Sequence, residues 1–158
     1  MSVAVGEPAP RSTNRTLGDV ESAKQLTTGS VIDEQLYKHS IAETIEAMRP
    51  FVVVFASPAF CTNAVCGPQV EVASELREEY GQDAEFIHVD LYENPHEIQG
   101  DLSRAVESSL LDEWGLVSQE WTYVVRADGV VSARFENFVG ADELAEAIES
   151  ALQHSDNA

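Results

Sequence analysis

Apolar side chains recur along this chain with two periods, and each change of period marks an element. Ser40 opens a helical stretch: its hydroxyl can cap the helix, Glu43 stands at the capping-box position, and Ile41, Ile45 and Met48 share one face before Pro50 stops it. Phe51-Val-Val-Val-Phe-Ala56 is then continuously β-branched and aromatic, as a strand covered on both faces must be. Val70, Ala73, Leu76 and Tyr80 return to helical spacing, and Gly81 ends that helix. Residues 85–91 form a second strand. Residues 103–114 suggest a helix with Ala105, Val106, Ser109, Leu110 and Trp114 inward, and Glu93-Asn-Pro-His-Glu97 before it suggests a surface loop. Residues 121–127 and 130–136 are strands joined by Asp128-Gly129, a strong hairpin signal. Residues 142–152 close the series as a helix with Leu144, Ala145, Ile148 and Leu152 inward.

The order helix, strand, helix, strand, helix, hairpin, helix predicts an α/β fold: a mixed central sheet with helices on both faces, ending in a β-hairpin plus a helix. Residues 1–35 hold Pro8, Pro10 and many Ser and Thr. They are expected to be an N-terminal extension packed on a domain spanning residues 36–154, with 155–158 a polar tail.

Composition narrows the function. The chain has 158 residues, one domain's worth, and 44% are apolar, enough for a core without staples. The charge is unusual: 28 acidic against 9 basic residues leave −19. Such a surface repels phosphate, which argues against nucleic acid and anionic membrane as partners. The longest apolar run is too short to span a bilayer. Met1-Ser-Val-Ala-Val-Gly-Glu7 lacks the features of a secretory signal, so the sequence as written reads as a soluble, cytoplasmic, acidic protein, or as the exported form of a longer precursor.

In open α/β sheets chemistry gathers at the carboxyl ends of parallel strands. Here that place is Ser57-Pro-Ala-Phe-Cys-Thr-Asn-Ala-Val-Cys-Gly-Pro68, which contains both cysteines of the chain. Five residues advance about 500° around a helix, so Cys61 and Cys66 cannot share a helical face. Gly67 and Pro68 would cost about 1 and 3 kcal/mol inside a helix, whereas proline in a first turn is nearly free. The helix is therefore expected to start near Cys66, with Cys61 in the loop before it. A thiolate at a helix N-terminus is stabilised by the helix dipole. The plain alternative is two small buried side chains or a passive staple.

From these residues the sequence resembles the thioredoxin superfamily, in particular its TlpA-like thiol-disulfide oxidoreductases. Phe51–Phe60 running into Cys61 is similar to the strand and aromatic residue before that family's redox cysteines. Val5-Gly-Glu-Pro-Ala-Pro10 is similar to its opening segment, and Trp114-Gly-Leu…Trp121-Thr-Tyr-Val-Val-Arg-Ala-Asp-Gly129 to its fourth strand and hairpin. The motif departs from the family: Cys-x₄-Cys stands in place of Cys-x-x-Cys. Either Cys61 matches the nucleophile and Cys66 resolves it, the reading favoured here, or Cys66-Gly-Pro-Gln69 matches Cys-Gly-Pro-Cys with Gln69 replacing the second cysteine. Glu120 occupies the position of the family's cis-proline, which faces the sulfurs. The buried acid some thioredoxins carry on the central strand is absent, because Val54 and Phe55 are apolar.

The resemblance implies a redox-active Cys61/Cys66 disulfide, a mixed-disulfide intermediate, and substrate contacts from Phe60, Pro68, Glu120 and Trp121. It implies no bound cofactor or metal, and as partners a protein thiol or disulfide substrate and a reductant protein, with the chain a monomer. Three other readings compete. Cys61-Thr-Asn-Ala-Val-Cys-Gly67 is similar to the Cys-Thr-x-x-x-Cys-Gly of bacterioferritin-comigratory peroxiredoxins, but Ser57-Pro58 sits one residue too far from Cys61, Val54 replaces the family's proline, and Glu120 replaces its arginine. A Sco-like copper site would need a histidine where Ser118 stands; of His39, His88, His96 and His154, His88 reads as a core or edge histidine. The last reading is a binding domain that kept the fold without catalysis.

Overall fold

The computed structural model describes residues 2–60, 66–117 and 120–156. Its sheet has four strands: β1 (Phe51–Phe55), β2 (Glu85–Val89), β3 (Trp121–Val125) and β4 (Val131–Glu136), in the order β2-β1-β3-β4. β1 pairs parallel with β2 through Phe51↔Glu85 to Phe55↔Val89, and antiparallel with β3 through Phe51↔Val125 to Phe55↔Trp121. β3 and β4 form the expected hairpin, with an irregularity at Val124/Val125 and Gly129 at φ 82°, a conformation glycine adopts without strain. The mixed sheet is thus the expected one, and every residue of β1 is buried.

Alternation along β1 divides the core in two. Phe51, Val53 and Phe55 pack with Ile87, Tyr123 and Val125 against α1 (Ile41–Glu46) and Trp114. Val52, Val54 and Ala56 pack with Phe86 and Val124 against α2 (Cys66–Tyr80) and α5 (Ala141–Asp156), which contributes Leu144, Ile148 and Ala151. Helices therefore cover both faces. At the end of α2 the Gly81 N–H bonds the Arg77 carbonyl at 2.8 Å, and a Cβ on Gly81 would lie 2.5 Å from that oxygen. Only glycine closes the helix this tightly.

Three expectations need correction. α1 is capped by Ser40 Oγ accepting from the Glu43 N–H at 3.0 Å, as expected, but it ends at Glu46; Met48 turns into the left-handed region (φ 55°) and is 72% exposed instead of sharing the buried face. The helix expected over 103–114 is confined to α4 (Leu110–Trp114), preceded by a 3-10 turn at Leu102–Arg104. Between them the backbone is drawn into extended pairing. The Glu93 N–H bonds the Val106 carbonyl, the Val106 N–H bonds Asn94 Oδ1, and the Ser108 N–H bonds the Leu91 carbonyl, each at 2.8 Å. These partners satisfy the groups a helix would have used, so tertiary context overrides local spacing. The supposed surface loop at 93–97 supplies α3 (Pro95–Ile98), with proline in its first turn and Pro95 and Ile98 buried.

The N-terminal residues run across both ends of the sheet. Gly6 and Glu7 pair with Val131, and Ala9 with the Gly129 carbonyl, beside the hairpin. Leu26, Leu36 and Tyr37 enter the α2–α5 core. No helix among the described residues is long and apolar enough to cross a membrane.

Candidate functional site

The chain leaves β1 at its carboxyl end, passes through buried Ala56 and Ser57, and turns, with the Phe60 N–H bonding the Ser57 carbonyl at 3.1 Å. Cys61 lies outside the described residues, as does Ser118. Cys66 is the first residue of α2, where the Gly67-Pro68 argument puts the helix start. It is fully buried, in one apolar cluster with Val54 and Ala56. Pro68 occupies the first helical turn, where its missing N–H has no intrahelical partner to lose. Gln69, which stands where the alternative register wanted a cysteine, is buried. Its Nε2 donates to the Val139 carbonyl at 3.1 Å and its Oε1 accepts from the Val139 N–H at 2.7 Å, pinning the loop after β4 to α2.

Two buried polar regions flank this position. On the β3 side, Glu120 and Thr122 share the sheet face of Val124, the face of α2 and Cys66. The Glu120 carbonyl accepts from the Asn137 N–H at 2.9 Å. Its side chain is only 1% exposed, and neither carboxylate oxygen has a hydrogen-bond partner; the Thr122 hydroxyl and Trp121 Nε1 are also buried without one. Burial pushes the Glu120 carboxyl above its ordinary range. Trp121 points to the opposite face, into the cluster of Phe55 and Trp114; it stacks on Tyr123 and lies 5.7 Å from the Arg134 guanidinium. The fold thus brings Glu120 and Cys66 to one face and puts the Trp121 ring on the other.

On the β2 side the polar groups are matched. His88 Nε2 lies 2.8 Å from the Ala56 carbonyl, which only accepts, so Nε2 carries the hydrogen. Nδ1 then accepts from the Tyr37 hydroxyl at 2.7 Å. Burial lowers the His88 pKa, which fits this neutral tautomer, and burial raises the Tyr37 phenol. Asp90 Oδ2 accepts from the Thr28 N–H (2.8 Å) and hydroxyl (3.0 Å), and Oδ1 from the Tyr92 N–H (3.2 Å). Burial pushes the Asp90 carboxyl up, opposed by these donors. Sequence reasoning found His88 as a core histidine but missed Thr28, Ser57 and Asp90 as a unit. The one signal was a charged residue continuing the buried face of a strand.

Phe60 is half-buried, its ring edge-on to Tyr92 with centroids 6.4 Å apart. With Ala59, Thr27–Ser30, Pro95 and His96 it bounds an open cavity of about 460 Å³. A second cavity, about 300 Å³, lies between Thr27–Val31, Pro58, Ala59 and the first turns of α2. Among the described residues there is no free cysteine and no group of three His, Cys, Asp or Glu side chains placed to hold a metal ion.

No protein-family profile matches this chain, and no curated protein matches it by sequence. Solved structures do. A putative thiol:disulfide interchange protein DsbE from Chlorobium tepidum superposes with a TM-score of 0.67 at 13% identity, covering 96% of this chain and 99% of its own. A thioredoxin-family thiol:disulfide interchange protein from Chlorobium tepidum TLS gives 0.62 at 13% identity, covering 94% and 98%. A thioredoxin-like protein solved in its oxidised form gives 0.56 at 17% identity, covering 94% and 97%. The chain has the thioredoxin-like fold.

Proposed function

We propose that this chain is a thiol-disulfide oxidoreductase whose redox pair is Cys61 and Cys66. The observation that carries the reading is the place of Cys66: buried, on the first residue of a 15-residue helix, at the carboxyl end of the parallel strand β1. The dipole of so long a helix favours a thiolate at its start.

In the forward cycle the Cys61 thiolate attacks one sulfur of a substrate protein's disulfide. A mixed disulfide forms and the substrate's other sulfur leaves as a thiolate. The Cys66 thiol loses its proton and attacks Cys61 Sγ, the mixed bond breaks, and the substrate departs with two electrons. A dithiol reductant protein then reverses the Cys61–Cys66 bond, so the chemistry needs no bound cofactor, and the protein acts as a monomer. Phe60 and Pro68 border the reacting pair on the loop and helix sides. Glu120, unpartnered on the Cys66 face, disfavours a nearby thiolate when charged and so holds the thiol pKa up. Trp121 contributes through the backbone of β3 while its ring packs away from Cys66.

Free-thiol titration with and without reductant tests the pair: two thiols appear after reduction and none before. Two thiols that stay reduced under oxidant overturn the reading. Cys66→Ser should then trap mixed disulfides that Cys61→Ser does not; the reverse pattern exchanges the two roles. Turnover of peroxide with an added reductant, without disulfide exchange, would replace this reading by a thiol peroxidase.

A further inference from the structure

We infer that Thr28, far from the cysteines in sequence, is a positioning residue for the redox pair: it holds the segment that delivers Cys61, and Asp90 fixes the direction in which it does so. The inference rests on the function proposed above. It starts from counting hydrogens around one oxygen. Thr28 Oγ1 has three neighbours: Asp90 Oδ2 at 3.0 Å, Ser57 Oγ at 3.0 Å and the Ala59 backbone nitrogen at 3.1 Å. A hydroxyl has one hydrogen and accepts two bonds. The Asp90 carboxylate only accepts, so the Thr28 hydrogen goes to Asp90. The Ala59 N–H only donates. The Ser57 hydroxyl must therefore donate to Thr28 as well. Every valence of this oxygen is used, and the carboxylate sets the sense of all three bonds.

The two residues held this way are Ser57 and Ala59, the latter two positions before Cys61. Ser57 is fully buried, but packing secures Ala59 poorly: it is exposed, and the open cavities of about 300 and 460 Å³ both reach it and Thr28. Asp90 is in turn held by the Thr28 and Tyr92 backbone N–H groups at the end of β2. Beyond Ala56, whose N–H bonds the Val89 carbonyl and whose carbonyl accepts from His88, Ser57 and Ala59 are tied to the end of β2 through this one threonine hydroxyl. Removing it frees the segment in the reduced protein and lowers the effective concentration of one sulfur at the other.

The test is the equilibrium of the full chain with glutathione. Two glutathione thiols give two electrons to the protein disulfide; the Cys61–Cys66 bond breaks, two cysteine thiols form with the two protons, and one glutathione disulfide is released. Oxidised fractions are read by acid quenching, alkylation and mass measurement for the parent, Thr28→Val and Thr28→Ser, with urea unfolding alongside. Thr28→Val should be reduced about three- to tenfold more readily, and Thr28→Ser, which restores the hydroxyl, should return close to the parent. A role in stability alone would lower the urea midpoint and leave the glutathione equilibrium unchanged, and that result overturns the inference. A parent with no reversible disulfide overturns the proposed function instead. If Thr28→Val does not fold, Ser57→Ala removes one bond to the same oxygen and keeps the one to Asp90; about a twofold shift supports the inference and none overturns it.

Discussion

At the carboxyl end of β1 the two neighbouring strands treat buried polar groups in opposite ways. On the β2 side, Tyr37, His88, Ala56, Thr28, Ser57 and Asp90 form a set in which the hydroxyl and ring hydrogens find acceptors. On the β3 side, Glu120, Trp121 and Thr122 bury four polar side-chain atoms with no partner. Native proteins satisfy nearly all buried polar groups, and each one left over costs about 1–3 kcal/mol. The matched side is therefore a support, whose removal hurts. The unmatched side carries a cost, of which Glu120 and Thr122 bear their part on the sheet face of Cys66, and removing its charge helps stability.

The largest expected effect breaks the matched side. Asp90→Ala strands two donors of Thr28 and the Tyr92 N–H together, and should cost about 3 kcal/mol in urea unfolding. A loss well under about 1 kcal/mol would mean that water replaces the carboxylate freely, and the contrast between the two sides would collapse.

Glu120→Gln acts on the other side with the opposite sign. Burial raises the folded carboxyl's pKa above its ordinary value of 4.5. An unfolded chain then ionises first as pH rises, so stability is fully present below the unfolded value and is lost as pH climbs through the folded one. Glutamine cannot ionise. The variant should match the parent near pH 4 and exceed it by about 1–2 kcal/mol at pH 7. Denaturant curves at the two pH values check this. The same variant sharpens the functional claim: its alkylation profile against pH should shift the thiol pKa downward, and superimposable curves would separate Glu120 from the cysteines.

Tyr37→Phe is a smaller cut within the matched side, about 1 kcal/mol, because it takes one donor from His88 Nδ1. His88 has its pKa lowered from 6.5 by burial. The unfolded histidine binds its proton first as pH falls, so this contribution is present above 6.5 and is lost as pH drops towards the folded value. Without the tyrosine hydroxyl the bare Nδ1 protonates more readily, so the folded pKa moves back towards 6.5, and the acid loss from this residue should end at a higher pH and be smaller than in the parent. Proton NMR titration of the ring reads it directly.

Much of this was legible in the chain itself. Phe51–Phe55 has one reading, because five consecutive β-branched and aromatic residues fit only a strand covered twice. Asp128-Gly129 fixed the hairpin, and Gly67-Pro68 located the start of α2, since each residue carries its own backbone demand. Residues 103–114 misled because their helical spacing competes with partners at Leu91–Asn94, distant in sequence order. The two polar regions were hidden for the same reason. Glu120 was singled out only through the resemblance at its position, and that it is buried without a partner depends on β3, β4 and α2 coming together. Thr28 looks like any loop threonine until Asp90 and Ser57 are brought to it from the ends of two different strands.

The last prediction concerns salt, and its expected effect on the contrast is close to nothing. A net charge of −19 repels itself across the surface, and salt screens exposed charges within about 10 Å at 0.1 M and 3 Å at 1 M. The parent's melting temperature should therefore rise from dilute to molar KCl. The energies that separate the two buried regions are of a different kind: short hydrogen bonds on one side and desolvation on the other, neither reached by mobile ions. Asp90→Ala and Glu120→Gln each also remove one negative charge, but against a background of −19 that change is small and is screened like the rest. So the stability differences between parent and variants should hold within about 0.5 kcal/mol across the salt series while the melting temperatures of all three climb together. Differences that shrink steadily with KCl would show that Asp90 and Glu120 act through the exposed field of the whole protein. The matched and unmatched regions would then be one electrostatic surface, and the reason for placing Glu120 among the groups that act on Cys66 would be gone.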